Sequence, residues 1–315
     1  MLPATARDLE ARLSSASYLA DPATALSLWL ALQMHRPLLV EGPAGVGKTD
    51  LARAAAEALG RPLIRLQCYE GLDEAKALYE WDYGKQMLYT QLLRDAVGRE
   101  LASAPTIAEA AAVVARSEAS FFNEHFLIRR PLLQALRSET PAVLLIDEVD
   151  RADPEFEAFL LEILSELQIT IPEIGTVRAD PDAPPLVLLT TNGTREMTEA
   201  LRRRCLHAFL DYPPPSREIA ILAVAVPGIA ADLAARLVAF VDGLRALDLR
   251  KAPAISETID WARGVLLLGA SGLDKDLVEA TLGLLLKHQA DKADVGPKID
   301  KLLAAAEQAA RAGGA

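Results

Sequence analysis

The hydrophobic pattern of this 315-residue chain changes character at three consecutive prolines, Pro213, Pro214 and Pro215. Before them, short strand-like runs recur: PLLV at 37–40, LIRLQC at 63–68, VLLI at 143–146, LVLL at 186–189 and a fifth over 206–212. Continuous β-rich runs of this length suit strands buried on both faces of a sheet. Helical patterns separate them. Residues 1–36 read as two helices, the second opening on Asp21-Pro22, a good cap and first-turn pair. Residues 50–59 (DLARAAAEAL) are strong helix formers closed by Gly60 and Pro62. Over 154–168, Phe156, Phe159, Leu160, Ile163, Leu164 and Leu167 repeat with the helical period. After the prolines, 217–310 reads as helix almost throughout, rich in Ala and Leu. The boundary therefore divides an α/β domain over 1–212 from an all-helical domain over 213–315.

Several stretches fit this scheme less simply. Residues 79–89 (YEWDYGKQMLY) read as a small hairpin with a turn at Gly84, either an ordinary aromatic-packed surface element or an insertion that touches a partner. Residues 104–117 read as an alanine-rich helix, and 121–137 as an amphipathic helix broken near Pro131. Residues 169–177 (ITIPEIGTV) alternate and turn at Gly175, a second hairpin.

Composition narrows the class. Half of the residues (51%) are hydrophobic, which specifies a folded globular chain, and the net charge of −11 argues against a general nucleic-acid or anionic-membrane surface. Cys68 and Cys205 are the only cysteines and form no close pair, which fits a reducing compartment. The four histidines lack metal-ligand spacing. The first residues carry charges where a secretory signal needs an apolar region, and the apolar stretch at 23–34 is too short to span a bilayer, so the expectation is a cytoplasmic protein without an integral membrane segment.

The chemistry is concentrated at 41–50, EGPAGVGKTD. Gly42, Gly45, Gly47, Lys48 and Thr49 form the G-x-x-x-x-G-K-T spacing, in which glycines let backbone N–H groups line a concavity for phosphates. The candidate binding residues are Gly42, Pro43, Ala44, Gly45, Val46, Gly47, Lys48, Thr49 and Asp50. The following helix presents its positive end to the same anion. Lys48 suits the β/γ-phosphates, and Thr49 suits a magnesium ion. A preceding strand and a following helix supply the required context, so this is a nucleoside triphosphate site. Roughly a hundred residues later, in the order this pairing requires, Asp147 and Glu148 end a strand. Asp147 there suits Mg²⁺, and Glu148 the polarisation of an attacking water. Asn192 ends another strand, where it either caps the next helix or orients a water. Arg202, Arg203 and Arg204 point about 100° apart on a helix. They form either a solvated basic patch or a source of arginine fingers for a neighbouring subunit.

Together these residues resemble the AAA+ ATPases and, more narrowly, the MoxR family. The carriers are the acid-pair strand, ITIPEIG, TTNGTRE, ALRRRCL followed by DYP, and ETIDWAR at 257–263. Within that family, LYEWDYGKQMLYTQ and RRPLLQAL are most similar to CoxD-like ATPases linked to maturation of molybdenum-containing carbon monoxide dehydrogenases. The resemblance implies a P-loop αβα sandwich with a five-stranded parallel sheet, an α-helical lid, and a homo-oligomeric ring, usually a hexamer, that binds ATP and Mg²⁺ between subunits. It implies that Asn192 is the first sensor and that Arg204, with Arg203 beside it, stands at the finger position. It also implies a protein client and a partner carrying a von Willebrand factor A domain. One departure is local: many relatives place Ser-Pro-Arg at the start of a lid helix, whereas Ile255, Ser256, Glu257 and Thr258 stand here, and Arg263 lies two turns later.

The leading expectation is an ATP-hydrolysing, ring-forming remodeller that helps activate another protein, a metalloenzyme by the resemblance. Two alternatives stand beside it. A nucleic-acid motor is disfavoured by the acidic balance, and a nucleotide-gated scaffold with little turnover is disfavoured by Glu148.

Overall fold

The computed structural model describes residues 2–109, 111–113 and 121–313. Nine strands are present among them: β1 Leu38–Glu41, β2 Leu63–Gln67, β3 Tyr79–Trp81, β4 Leu127–Arg129, β5 Val143–Asp147, β6 Gln168–Ile171, β7 Gly175–Arg178, β8 Leu186–Thr191 and β9 Leu206–Phe209. Five of them form one parallel sheet in the order β2-β5-β8-β1-β9, and helices flank it. All five residues of β5 and all six of β8 are buried. That explains why both read as unbroken apolar runs rather than alternating ones. Their register is Val143↔Leu186 through Ile146↔Leu189, and β2 pairs on the other side from Leu63↔Val143 to Gln67↔Asp147.

The chain separates into two compact units. One takes in Met1–Leu30, Val40–Leu59 and His207–Ala315; the other takes in Ala31–Leu39 and Gly60–Leu206. In the second unit, a core of β2, β5 and β8 side chains packs with Leu132 and Leu136 of the helix Pro131–Leu136 and with Phe156, Leu160 and Ile163 of the helix Pro154–Glu166. The helix Pro154–Glu166 buries one stripe at the helical period, which is how its sequence reads. The helix Glu199–Arg204 and the antiparallel hairpin β6–β7 complete this unit.

Two sequence expectations are corrected here. Tyr79–Trp81 is a strand, but it pairs with Leu127–Arg129 rather than folding back on residues 85–89. Residues 83–103 form instead a 21-residue helix, Tyr83–Ser103. The Asp82 carboxylate accepts from the Lys85 N–H at 2.9 Å and caps that helix, so the local chemistry of Asp82 starts a helix where Gly84 suggested a turn. The expected helix over 121–137 is likewise broken into a short turn, the strand β4 and the helix Pro131–Leu136. Part of the alanine-rich stretch, Ala110 and 114–117, lies outside the described residues; its neighbours 107–109 and 111–113 are helical.

The second N-terminal helix, Pro22–Met34, begins where Asp21 accepts from the Thr24 N–H at 2.7 Å. The C-terminal part is helical: Pro215–Ala225, Ala231–Arg245, Ile255–Leu267, Lys275–Leu285, Gln289–Val295 and Ile299–Gly313. Phe240 and Trp261 pack at its centre with ring centroids 5.4 Å apart, and the Trp261 Nε1–H donates to Thr281 Oγ1 at 2.8 Å. A buried ion pair ties three of these helices: Arg245 is bidentate to Glu218 at 2.6 and 2.9 Å, and Thr258 Oγ1 donates to the same carboxylate at 2.8 Å. Among the described residues no helix is long and apolar enough to cross a membrane.

Candidate active site

The phosphate loop lies between β1 and the helix Lys48–Leu59. Gly42 follows β1 directly, and a Cβ there would fall 1.9 Å from the Leu210 carbonyl oxygen. The Leu210 N–H in turn donates to the Glu41 carbonyl at 2.8 Å. Glycine is thus required at 42 by the close passage of the segment after β9. Gly45 sits at φ +79, and a Cβ there would meet the Ala254 Cβ and Ser256 Oγ at 2.6 Å. The Ser256 N–H donates to the Gly45 carbonyl at 3.2 Å, so the start of the helix Ile255–Leu267 rests on the loop.

Glu257 stands at that helix start. Burial opposes its charge, but hydrogen bonds from the Ser256 hydroxyl and the Ala254 N–H, with Lys251 nearby, hold its carboxyl below the usual range. Glu257 therefore occupies this helix start as an anion.

Lys48 is buried, and its Nζ donates to the Gly42 and Pro43 carbonyls at 2.6 and 2.7 Å. Val46 is buried, whereas Ala44, Thr49 and Asp50 are exposed, with Asp50 paired to Arg53 at 3.3 Å. A cradle that excludes Cβ atoms, a lysine at its base and an exposed hydroxyl at the helix start fit an oligophosphate.

The acid cluster belongs to the other unit. Asp147 is 2% exposed and accepts from Thr190 Oγ1 at 2.5 Å and from Arg65 at 2.6 Å. Glu148 lies at φ 55 and ψ 51, left-handed backbone that a non-glycine residue adopts only at a steric cost. Its N–H donates to Thr190 Oγ1 at 2.9 Å. Its carboxylate accepts from Gln67 Nε2 at 3.0 Å and Asn192 Nδ2 at 3.3 Å and is ion-paired to Arg151 Nε at 3.1 Å. The fold therefore brings Asp147, Glu148 and Asn192 to one place. A buried carboxylate is the donor type that suits magnesium, which takes one or two carboxylates and fills its remaining positions from phosphate and water.

Asp150 holds the asparagine loop. Its Oδ2 accepts from the Asn192 N–H at 3.2 Å, the Thr194 N–H at 2.9 Å and the Thr194 hydroxyl at 2.6 Å. Burial alone would raise this carboxyl; the Thr194 hydroxyl and the amides bring it below the ordinary range.

Arg203 and Arg204 lie in the helix Glu199–Arg204. Arg203 pairs with Glu199 at 2.8 Å, and Arg204 Nε donates to Ser165 Oγ at 2.6 Å. Arg36 closes the same helix by donating to the carbonyls of Arg203 and Arg204 at 3.0 and 3.1 Å.

Sequence reasoning missed Arg65, Gln67, Asp150, Arg151 and Thr190. A signal was present for two of them. Arg65 and Gln67 are the polar residues of an otherwise apolar strand at i, i+2 spacing, and so share the face that meets Asp147 and Glu148.

Residues 37–205 match the AAA domain (dynein-related subfamily). The chain is 29% identical over 243 residues to the gas vesicle ATPase GvpN of Ancylobacter aquaticus, covering 74% of this chain and 61% of that protein. It is 32% identical over 139 residues to chaperone protein ClpB 2 of Thermosynechococcus vestitus, covering 44% of this chain and 12% of that one. The chain thus spans less than two thirds of the length of these curated relatives. Among solved structures it is similar to the RuvB Holliday junction branch migration motor of Thermotoga maritima, at a TM-score of 0.44 and 16% identity, over 88% of this chain and 68% of that one. The AAA domain match takes in the phosphate loop, the acid pair, Asn192 and the arginine run over more than half of the chain, and the protein belongs to this family of AAA+ ATPases.

Proposed function

We propose that this chain is an ATP-hydrolysing, ring-forming remodeller of the MoxR type, closest to the CoxD-like ATPases, that helps mature or activate a partner metalloenzyme such as a molybdenum hydroxylase. The observation that carries the hydrolytic part is the Asn192 amide 3.3 Å from the Glu148 carboxylate, next to the buried Asp147. Bound Mg²⁺·ATP supplies the electrophilic phosphoryl group and a cation that neutralises its charge.

The chain's own residues do the rest. Lys48 and the amides of 42–49 hold the phosphates, with Asp50 at the start of the helix they lead into. Thr49 and Asp147 offer the hard oxygen donors for the metal. Gln67 and Arg151 share Glu148 Oε2, so Oε1, which meets Asn192, is the oxygen placed to take a proton from water. Asn192 orients that water. Arg204, or its neighbour Arg203, binds the developing charge at the site of an adjacent copy, most simply in a hexamer.

In this reading 1–212 is the hydrolytic core and 213–315 the lid. The client assignment rests on the sequence resemblance, as do the von Willebrand factor A partner and a cytoplasmic location. The names of GvpN and ClpB 2, an ATPase and a chaperone, support a remodelling role in general.

Glu148→Gln is the direct test. It is expected to cut ATP turnover by about 10²–10⁴-fold while ATP still binds; turnover at the wild-type rate would remove Glu148 from the mechanism. Co-expression with a molybdenum hydroxylase tests the client: activation by wild type but not by Glu148→Gln is expected, and activation without this chain would overturn that assignment.

A further inference from the structure

We infer that Thr190 is the positioning residue that holds Glu148 in its left-handed backbone conformation and links that conformation to Asp147; the inference rests on the hydrolytic reading above. Thr190 is 1% exposed. It lies one residue beyond the Ile146↔Leu189 pair, which brings it level with Asp147 at the ends of β5 and β8. Its hydroxyl proton goes to Asp147 Oδ1 at 2.5 Å, and its oxygen accepts from the Glu148 N–H at 2.9 Å.

A hydroxyl has one proton. The Thr190 O–H is given to Asp147 Oδ1, which leaves the Thr190 oxygen to accept the Glu148 N–H, so one hydroxyl serves both bonds. The Glu148 N–H is thereby satisfied in a conformation that sterics disfavour, φ 55 and ψ 51. In that conformation the carboxylate meets Gln67, Arg151 and Asn192.

The lacing is reciprocal. Thr190, from β8, holds the two acids that end β5, while Asp150, from the turn after β5, holds the Asn192 and Thr194 amides that follow β8. The distance between Glu148 and Asn192 is therefore set from both strands. Gln67 reaches only the end of the Glu148 side chain, and Arg151, whose N–H donates to the Glu148 carbonyl at 2.9 Å, does not meet the Glu148 N–H or Asn192.

Thr190→Val removes the hydroxyl at nearly the same shape, and Thr190→Ser keeps it. Crystal structures of the two variants read the backbone directly and need no turnover. With valine, Glu148 is expected to leave the left-handed region and lose Asn192; with serine it is expected to stay. In parallel, Thr190→Val is expected to lower kcat about 100-fold, the scale of a misplaced catalytic group, with ATP affinity retained, and Thr190→Ser is expected to restore kcat. Thr190→Ala carries the same expectation if the valine variant does not fold.

The inference is overturned if Glu148 stays left-handed on Asn192 without the hydroxyl, or if serine behaves as valine does. If the wild-type protein hydrolyses no ATP, the hydrolytic reading fails, and the backbone conformation of the variants still decides the role of Thr190.

Discussion

Glu148, the residue proposed to take the proton, combines a disfavoured backbone with a carboxylate that three side chains approach. Its neighbours set further local properties. Burial pushes the Cys68 thiol up to about 12, and the carboxylates of Asp147, Asp150 and Glu148 add to the shift. Burial also raises Cys205 to about 12, against a small opposing effect of Arg36. Both thiols stay protonated at neutral pH, and since the thiolate is the reactive form, alkylation of the native protein should be slow and become fast on unfolding. Rapid labelling of either cysteine in the native state would contradict this.

Asp150 gives a pH dependence. Its folded carboxyl lies below the ordinary 3.8, so the native state favours the ionised form. Its contribution to stability is full above 3.8 and is lost as pH falls through the lower folded value. Acid titration of Asp150→Asn should therefore lack part of the wild-type loss of stability below about pH 4, the range of ordinary carboxyls.

At the scale of elements, the phosphate loop and the start of the helix Ile255–Leu267 are built to touch. Gly45→Ala places a Cβ 2.6 Å from Ala254 and Ser256 at a positive φ, so two penalties act together. A loss of about 2 kcal/mol or more is expected in denaturant unfolding, together with weakened nucleotide binding. A fully stable variant would mean that the helix start yields without cost.

Within the helical region, Arg245 is the counter-charge of Glu218, which is fully buried. Arg245→Ala leaves that carboxylate unpaired and should cost about 3–5 kcal/mol, read as a fall in the denaturant midpoint. The helix Tyr83–Ser103 shows how an element escapes a sequence reading. Glycine within a few residues of aromatics suggested a turn, but one aspartate cap and the good helix formers after it decided otherwise.

At the scale of the whole molecule, the proposed ring makes one quantitative prediction. Arg204 is engaged by Ser165 within its own chain. A finger role requires that it act on the nucleotide of an adjacent copy. Arg204→Ala should then lower turnover by on the order of a thousandfold while each copy still binds nucleotide. Mass measurement with and without Mg·ATP would show an assembly whose mixed rings, containing Arg204→Ala and Glu148→Gln copies, recover some activity at shared sites. A monomer that turns over equally well with either arginine present or absent would leave the AAA fold and remove the ring mechanism.

The sequence alone determined the order along the chain of the five strands of the parallel sheet, the phosphate loop, the acid pair and the helical C-terminal region. Each is written in a local pattern: an unbroken apolar run for a strand buried on two faces, glycine spacing for a loop without Cβ atoms, and 3.6-residue periodicity for a packed helix. Only the tertiary structure decided how the acids are held. Arg65 and Gln67 reach Asp147 and Glu148 because β2 pairs with β5 in a particular register, which brings together residues 81 and 82 positions apart. Thr190 and Asp150 lace β5 to β8 across 42 and 44 positions. The pairing of Tyr79–Trp81 with Leu127–Arg129, and the rest of Ser256 on Gly45, are of the same kind. Such contacts depend on register and on close approach of distant segments, and no local periodicity encodes either.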